Sequence, residues 1–336
     1  MFRWKNMILF IGLITVLAAC STSETSGKGS SDVSGELSFY TSQPDVDAEQ
    51  LVQAFNEKYP DVNVSIYRSG TEEVMSKVQA EKQAGEVQAD VLLVADSVTF
   101  ESLKEQKMLK AYESPPEMES IPEPFVDPDH MYAGTKVMST AMVVNTDNVK
   151  EPPASWNVLT EQSGNVAMPS PLYSGAAAYN LGVFTRTDGF GWEFYEAIQA
   201  GNPTITQGNG AVLKAVAAGE VDYGMVVDFV VARAEAEGSP VTLVYPEEGV
   251  PVITEPIGIM KDTQNEAAAK AFVDFVLSEE GQELASEIGY TPIREGVEAP
   301  KGLKTIEEMK VLEADTKELF KAREEDKQRF NQLFGE

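Results

Sequence analysis

From Gly35 onward, the spacing of apolar residues alternates between two periodicities along the chain. Short runs in which every second residue is apolar indicate strands, and longer stretches with apolar residues three or four apart indicate amphipathic helices. Strands are expected at 37–40, 62–67 and 90–95, and helices at 46–59, 74–83 and 100–106. This β-α-β-α-β-α order predicts an α/β fold in which helices cover the faces of a parallel sheet.

The alternation continues after a proline-rich and acidic stretch at 113–131, which predicts a long loop. Further strands are expected at 138–145, near 166, up to Asp228 and at 254–260, and further helices from Ser174, at 267–277 and within 306–333. The last segment is so rich in charged residues that a solvated helix face, on one helix or two, is expected.

The N-terminus carries a targeting signal. A positively charged start precedes an apolar run of 11 residues at 7–17, which is too short to span a bilayer. Two alanines and Cys20 follow, an ending that resembles the bacterial lipobox, in which the cysteine receives the lipid. We expect a lipoprotein signal peptide at 1–19, lipidation at Cys20 and a flexible Ser/Gly-rich tether at 20–34. The lipid would anchor the protein on the extracytoplasmic face of the cell membrane, in a periplasmic or extracellular position.

The net charge of the chain limits the classes of molecule that it is expected to bind. The 26 Lys and Arg residues are outnumbered by 54 Asp and Glu residues, so the formal net charge is −28. Nucleic-acid binding, which relies on basic residues that neutralise phosphates, is therefore not expected. A single cysteine and a single histidine exclude a Cys/His zinc cluster and an intramolecular disulfide. Neither a metal site nor a cofactor is expected.

Sequence signatures of catalysis are missing. The chain has no nucleophile elbow, no P-loop and no metal triad, so neither catalytic residues nor an enzymatic activity is expected. Two other classes stay open as alternatives. A secreted hydrolase would use a cleft carboxylate such as Asp96 or Asp228, and an adhesion or scaffolding protein would lack a deep cleft.

Small hydroxyl and glycine residues follow several strands of the predicted sheet. In open α/β sheets, ligands bind outside the carboxyl ends of the strands, where the next helices begin. Backbone N–H groups, positive helix ends and hydroxyl donors suit an anionic group, although each such residue alone is also typical of an ordinary helix N-cap. The candidate ligand-binding residues are Thr41, Ser42, Ser69, Gly70, Thr71, Ser97, Tyr173, Ser174, Gly175 and Asp228.

Several longer motifs resemble one protein family. They include Tyr67-Arg-Ser-Gly-Thr-Glu-Glu-Val, Ser170-Pro-Leu-Tyr-Ser-Gly, Phe272-Val-Asp-Phe-Val-Leu-Ser-Glu-Glu-Gly-Gln and Gly289-Tyr-Thr-Pro-Ile-Arg. From about residue 35 to 300, the chain resembles the extracellular solute-binding proteins of ABC importers. Within that family it resembles the group that binds ferric iron, 2-aminoethylphosphonate, sugar phosphates or thiamine.

The resemblance implies the type II periplasmic-binding-protein fold, with two α/β lobes around a hinged central cleft. Lobe 1 would comprise 35–140 and 256–336, and lobe 2 would comprise 141–255, with crossover strands between them. The resemblance also implies a monomer that captures a small-molecule solute and delivers it to the permease subunits of the transporter.

The class of solute is narrowed by departures from the iron-binding pattern. Family members that hold ferric iron place two adjacent tyrosines in the second lobe and a histidine near the first strand. Here Val227-Asp228-Phe229 and Thr41-Ser42-Gln43 stand in those places. The candidate set better matches the members that bind a phosphonate or an organophosphate, with Asp228 meeting an ammonium or hydroxyl group of the ligand. Ferric iron and thiamine are the alternatives.

Overall fold

The computed structural model describes residues 33–112 and 116–335. The predicted signal peptide, Cys20 and most of the predicted tether lie outside the described residues. Among the helices in the described ranges, none is long and apolar enough to cross a membrane.

Strands and helices alternate along the described chain. The strands are β1 (Gly35–Thr41), β2 (Val62–Arg68), β3 (Val91–Leu93), β4 (Leu109–Lys110), β5 (Ala133–Asn145), β6 (Val166–Pro169), β7 (Thr204–Thr206), β8 (Tyr223–Val227), β9 (Val241–Val244), β10 (Val250–Met260), β11 (Thr291–Pro292) and β12 (Val311–Leu312). The helices are α1 (Asp45–Lys58), α2 (Thr71–Ala84), α3 (Ser97–Glu105), α4 (Pro116–Glu119), α5 (Val158–Glu161), α6 (Gly175–Arg186), α7 (Gly191–Ala200), α8 (Asn209–Ala217), α9 (Asp228–Ala236), α10 (Glu266–Leu277), α11 (Glu279–Ile288) and α12 (Thr316–Phe334). The predicted α/β order is confirmed from β1 to α3.

The strands form a mixed sheet in the order β2-β1-β3-β10-β5-β8-β6-β7. β1 runs parallel to β2 and β3, and β6 runs parallel to β7 and β8. The long strands β5 and β10 join these two parallel groups and are antiparallel to each other. β5 pairs with β10 up to Ser139 and with β8 from Thr140 onward, so it passes from one group to the other.

Separate hydrophobic cores lie on the two parallel groups. One core contains Phe55 and Phe272, whose ring centroids are 5.0 Å apart. The other contains Trp156 and Phe184, with ring centroids 5.2 Å apart. Each group therefore has its own apolar interior, as expected for a two-lobed protein. We call the group with β1–β3 and α1–α3 the first lobe and the group with β6–β8 and α6–α9 the second lobe.

The packing of helix α12 differs from the predicted assignment of its segment to lobe 1. The sequence assigns 256–336 to lobe 1 and predicts a solvated charged face at the end of that range. The structure shows one helix with exposed charged residues such as Lys321 and Glu325, as predicted. Its Leu319 and Phe330, however, are buried in the core of the second lobe rather than in lobe 1. Gly182 of α6 permits this packing, because a Cβ at that position would lie 2.8 Å from Leu319 Cδ2. The remaining lobe limits stay a prediction.

The segment predicted as a long loop contains short local structure where it is described. α4 is followed by a 3-10 turn at Glu123–Phe125, and Val126 forms an antiparallel bridge with Ala133. His130 lies in the adjoining turn with φ at 54° and does not line the cleft described below.

Candidate functional site

A cleft of about 500 Å³ lies between the two lobes. Its wall includes residues from the N-terminal ends of α1, α2, α6, α8 and α9, which follow strands of both lobes. The start of a helix presents unbonded backbone N–H groups and the positive end of the helix dipole. Because several helices begin at one cleft, an anionic group there is stabilised from both lobes.

Three predicted residues of the first lobe line the cleft: Ser42, Gly70 and Thr71. Ser42 Oγ donates to Glu255 Oε1 at 3.2 Å and accepts from the Ala95 N–H at 3.2 Å. Gly70 is the N-cap of α2, and no side chain caps this helix. The start of α2 therefore leaves backbone donors that a ligand can use.

Tyr173, Ser174 and Gly175 line the facing wall, in the second lobe. Ser174 is the N-cap of α6, and its Oγ accepts from the Ala177 N–H at 3.2 Å. A hydroxyl that accepts one bond can still donate its own hydrogen. Ser174 thus combines the ordinary capping function with a free donor for a ligand.

The two walls touch along one edge of the cleft. A Cβ on Gly70 would lie 2.6 Å from the Tyr173 ring, and a Cβ on Gly175 would lie 2.8 Å from Thr71. The Glu72 N–H also donates to the Tyr173 carbonyl at 3.3 Å. The lobes are therefore closed on one another here, and the closed form has room only for glycine at these two positions.

Three other predicted residues do not line this cleft. Thr41 is fully buried, and its Oγ1 donates to the Leu93 carbonyl at 2.8 Å. Ser69 bonds to the Glu73 carboxylate at the surface. Ser97 lines a separate hollow. Thr41 is the last residue of β1, Ser69 directly follows β2 and Ser97 begins α3, but none of the three side chains lines this cleft.

Asp228 is also placed away from the cleft, which corrects the expectation that its carboxylate faces the ligand. The side chain is 1% exposed and accepts from Ser139 Oγ at 2.6 Å, from the Tyr245 hydroxyl at 3.1 Å and from the Phe229 N–H at 2.8 Å. Burial raises the pKa of this carboxyl to about 6, although these hydrogen bonds oppose the rise. Its neighbours Val227 and Phe229 line the cleft, whereas Asp228 points towards the crossover strand β5.

Arg68 lines the cleft and was not selected from the sequence. It is the only Lys or Arg among the lining residues in the described chain. Its Nε donates to the Gln43 carbonyl at 2.7 Å, which orients the guanidinium group. Glu255, an acidic lining residue, is already paired with Lys136 at 2.8 Å. One feature of the sequence indicates Arg68 as a candidate: it stands at the end of β2, and in the parallel register it pairs with Thr41 at the end of β1.

The loop between β7 and α8 was also missed. Gln207, Gly208 and Asn209 line the second-lobe wall. Asn209 Oδ1 accepts from the Val227 N–H at 3.1 Å, so its amide NH2 group points to other partners. In the first lobe, Gln43 lines the cleft and is 5% exposed, and its Oε1 has no hydrogen-bond partner within the described residues. These amides offer both donors and acceptors to an organic ligand.

Two tyrosines line the cleft, Tyr173 and Tyr290. The Tyr290 hydroxyl donates to Asp47 Oδ2 at 2.5 Å, and burial raises its pKa well above the ordinary value. Tyr290 is therefore a neutral phenol rather than a phenolate. Within the described ranges, no group of three or more His, Cys, Asp or Glu residues is arranged to hold a metal ion.

Comparison with known proteins agrees with this architecture. Residues 46–291 match the family described as bacterial extracellular solute-binding protein. This chain belongs to that family. An uncharacterised protein from Haemophilus influenzae is 30% identical to the solute-binding protein over 271 residues, which make up 76% of this chain and 77% of the relative.

Solved structures show the same fold. The periplasmic binding protein AfuA from Actinobacillus pleuropneumoniae, with exogenous fructose-6-phosphate bound, matches with a TM-score of 0.83 at 25% identity, over 90% of this chain and 99% of AfuA. Iron-bound HitA from Pseudomonas aeruginosa matches with a TM-score of 0.76 at 22% identity, over 88% of this chain and 99% of HitA. The solute-binding protein is thus a two-lobed periplasmic binding protein of the ABC-importer type.

Proposed function

We propose that this solute-binding protein captures a small organic phosphate or phosphonate in the cleft and delivers it to the permease subunits of an ABC importer. The observation that carries the proposal is the position of Arg68 in a cleft where five helices begin. A permanent positive charge and oriented N–H groups suit a phosphate head group, whose oxygens accept several charge-assisted hydrogen bonds.

The acidic composition does not oppose this proposal. The net charge of −28 is spread over the whole chain, and at physiological ionic strength the Debye length is about 8 Å. Carboxylates beyond that distance are largely screened from the bound anion. Among the acidic lining residues, Glu255 is neutralised by Lys136, and Asp45 is exposed at the rim. The charge that the ligand meets at close range is that of Arg68.

The size of the cleft favours a ligand with an organic body. About 500 Å³ lies within the usual range for small-molecule sites, which is about 300 to 1,000 Å³. An inorganic phosphate ion would fill only a small part of this space. The partnerless Oε1 of Gln43 and the free amide of Asn209 suit hydroxyl groups on such a body. The fold match with AfuA, solved with fructose-6-phosphate, supports a phosphate ester over a phosphonate.

The cleft serves ferric iron less well. Fe(III) prefers hard anionic oxygen ligands, such as phenolates and carboxylates. One of the two lining tyrosines, Tyr290, is a neutral phenol that donates a hydrogen bond to Asp47. The carboxylate of Glu255 forms an ion pair with Lys136 and accepts a hydrogen bond from Ser42. Iron-bound HitA is 22% identical to this chain, and this similarity supports a shared fold but not a shared ligand.

The proposal includes the position of the protein in the cell. The family is extracellular, and a lipid on Cys20 would hold the folded lobes close to the permease by the tether at 20–34. We propose that the protein works as a monomer in this position, since both walls of the cleft come from one chain.

A ligand screen tests the proposal. Thermal unfolding and calorimetric titration would be measured with hexose phosphates, 2-aminoethylphosphonate, inorganic phosphate, thiamine and ferric citrate. A ligand at 100 times its Kd stabilises the folded state by about 2.7 kcal/mol, which raises the melting temperature by several degrees. We expect this rise with an organic phosphate and a much smaller one with the dephosphorylated sugar. Stabilisation by ferric iron alone, with a phenolate-to-iron absorption band, would contradict the proposal, as would stabilisation by thiamine alone.

A further inference from the structure

Helix α12 is fixed to the second lobe by one of its faces. Leu319 and Phe330 are buried in the second-lobe core, and Leu319 packs at Gly182 of α6. An ion pair between Arg186 of α6 and Asp326 of α12, with 2.7 Å between Nη1 and Oδ2, reinforces the contact. Because this face includes the apolar packing of Leu319 and Phe330 in the second-lobe core, we expect α12 to move with the second lobe when the lobes separate.

A second face of α12 holds the first lobe. Arg323 donates to Asp96 Oδ2 at 2.8 Å and to Glu72 Oε1 at 2.8 Å, and Lys327 donates to Glu72 Oε2 at 2.7 Å. The Arg323 side chain is only 11% exposed. Burial alone would raise the pKa of Glu72, but the charges of Arg323 and Lys327 hold it below its ordinary value. Glu72 therefore faces the two cations as a charged carboxylate, and little of the contact is exposed to solvent.

This contact is coupled to the cleft through the start of α2. Glu72 directly follows Gly70 and Thr71 in the cleft wall, and its N–H donates to the Tyr173 carbonyl of the second lobe. Separation of the lobes at Gly70 and Tyr173 must also pull Glu72 away from Arg323 and Lys327. Asp96, the other partner, caps α3 of the first lobe through the Thr99 N–H at 3.0 Å.

We infer that α12 is an interlobe clamp in which Arg323 and Lys327 favour the closed form and so set the affinity for the solute. The inference rests on the proposed function and adds the control of closure at the same site. A ligand that is held by the closed form has an apparent Kd inversely proportional to the fraction of closed protein. Arg323 and Lys327 do not touch the ligand. They are positioning residues that act through α2 and α3.

The test compares Arg323→Gln with Arg329→Gln in the full chain. Arg329 lies on the same helix, but its partner Glu196 belongs to the second lobe, and both side chains of this pair are about half exposed. Both substitutions remove one positive charge from α12, and only the first removes an interlobe contact. Stopped-flow kinetics with a hexose phosphate would give the rate constants, and small-angle scattering without ligand would give the radius of gyration.

We expect Arg323→Gln to raise the dissociation rate constant about tenfold or more, with a smaller effect on association, and to expand the ligand-free protein. Glu72→Gln, which alters the clamp from the first lobe, should also raise the dissociation rate constant and expand the ligand-free protein. Arg323→Lys, which keeps the positive charge, should have values between those of Arg323→Gln and the wild type. Arg329→Gln should match the wild type. If Arg323→Gln does not fold, Lys327→Gln carries the same comparison, since Arg323 then stays in place.

The outcomes separate the clamp from the proposed function. If no hexose phosphate binds to the wild type, the proposed substrate class fails, while the ligand-free scattering still tests the clamp. Wild-type rates and an unchanged radius in both Arg323→Gln and Glu72→Gln would overturn the clamp. A loss of affinity in Arg329→Gln equal to that in Arg323→Gln would also overturn it, because the effect would then come from the charge of α12 rather than from contact between the lobes.

Discussion

Replacement of Arg68 by glutamine removes the only positive charge that lines the described part of the cleft. The substitution keeps a polar side chain of similar length, but it loses the bond from Nε to the Gln43 carbonyl and the charge offered to the ligand. Hydrogen bonds to charged groups contribute about 1.5 to 3 kcal/mol, and each 1.4 kcal/mol changes a Kd tenfold. We therefore expect an organic phosphate to bind about 10- to 100-fold more weakly. Arg68→Lys keeps the charge but not the planar donor geometry, so its affinity for the organic phosphate should lie between those of the wild type and Arg68→Gln.

Calorimetric titration with two matched ligands separates the electrostatic effect from a structural one. The phosphate ester should lose affinity in Arg68→Gln, whereas the weak binding of its dephosphorylated sugar should change little, because that ligand has no anionic group. Arg329→Gln, which changes an exposed residue outside the cleft, is the control for the loss of one charge from the chain. An equal loss for both ligands would show that Arg68 only supports the loop at Gln43. Unchanged binding of the phosphate ester would refute an anion site at Arg68.

Two further predictions concern localisation and pH. Because the lipid on Cys20 is the predicted anchor, Cys20→Ser should move the protein from the membrane fraction to the soluble extracytoplasmic fraction, and continued sedimentation with membranes would rule out lipid anchoring at this residue. Burial raises the pKa of Asp228 to about 6, so between about pH 4 and 6 the folded state retains a proton that the unfolded state loses. The free energy of unfolding should therefore fall as pH rises through this window, and urea denaturation should show a weaker fall in Asp228→Asn than in the wild type or in the exposed control Asp262→Asn. An identical pH dependence in all three would contradict a buried, protonated Asp228.

The sequence alone determined the local elements and much of the cleft. The hydrophobic periods located β1 to α3 because the periodicity of a strand or an amphipathic helix depends on neighbouring residues only. The cleft at the strand ends also followed from the sequence, because parallel strands that alternate with helices bring their carboxyl ends to one edge of a sheet. On that basis the sequence predicts Ser42, Gly70 and Thr71 as ligand-binding residues, and the structure places them along the cleft.

Tertiary structure alone decided which way individual side chains point and which distant segment covers them. Asp228 lies between two residues that line the cleft, yet its carboxylate is held by Ser139 of β5 and by Tyr245, partners that no local pattern reveals. Likewise, Asp96 follows β3 at the expected place, but Arg323, 227 residues further along the chain, occupies its carboxylate. The pairing of such remote groups depends on how whole helices and strands pack, and packing is a property of the assembled fold rather than of any short stretch of sequence.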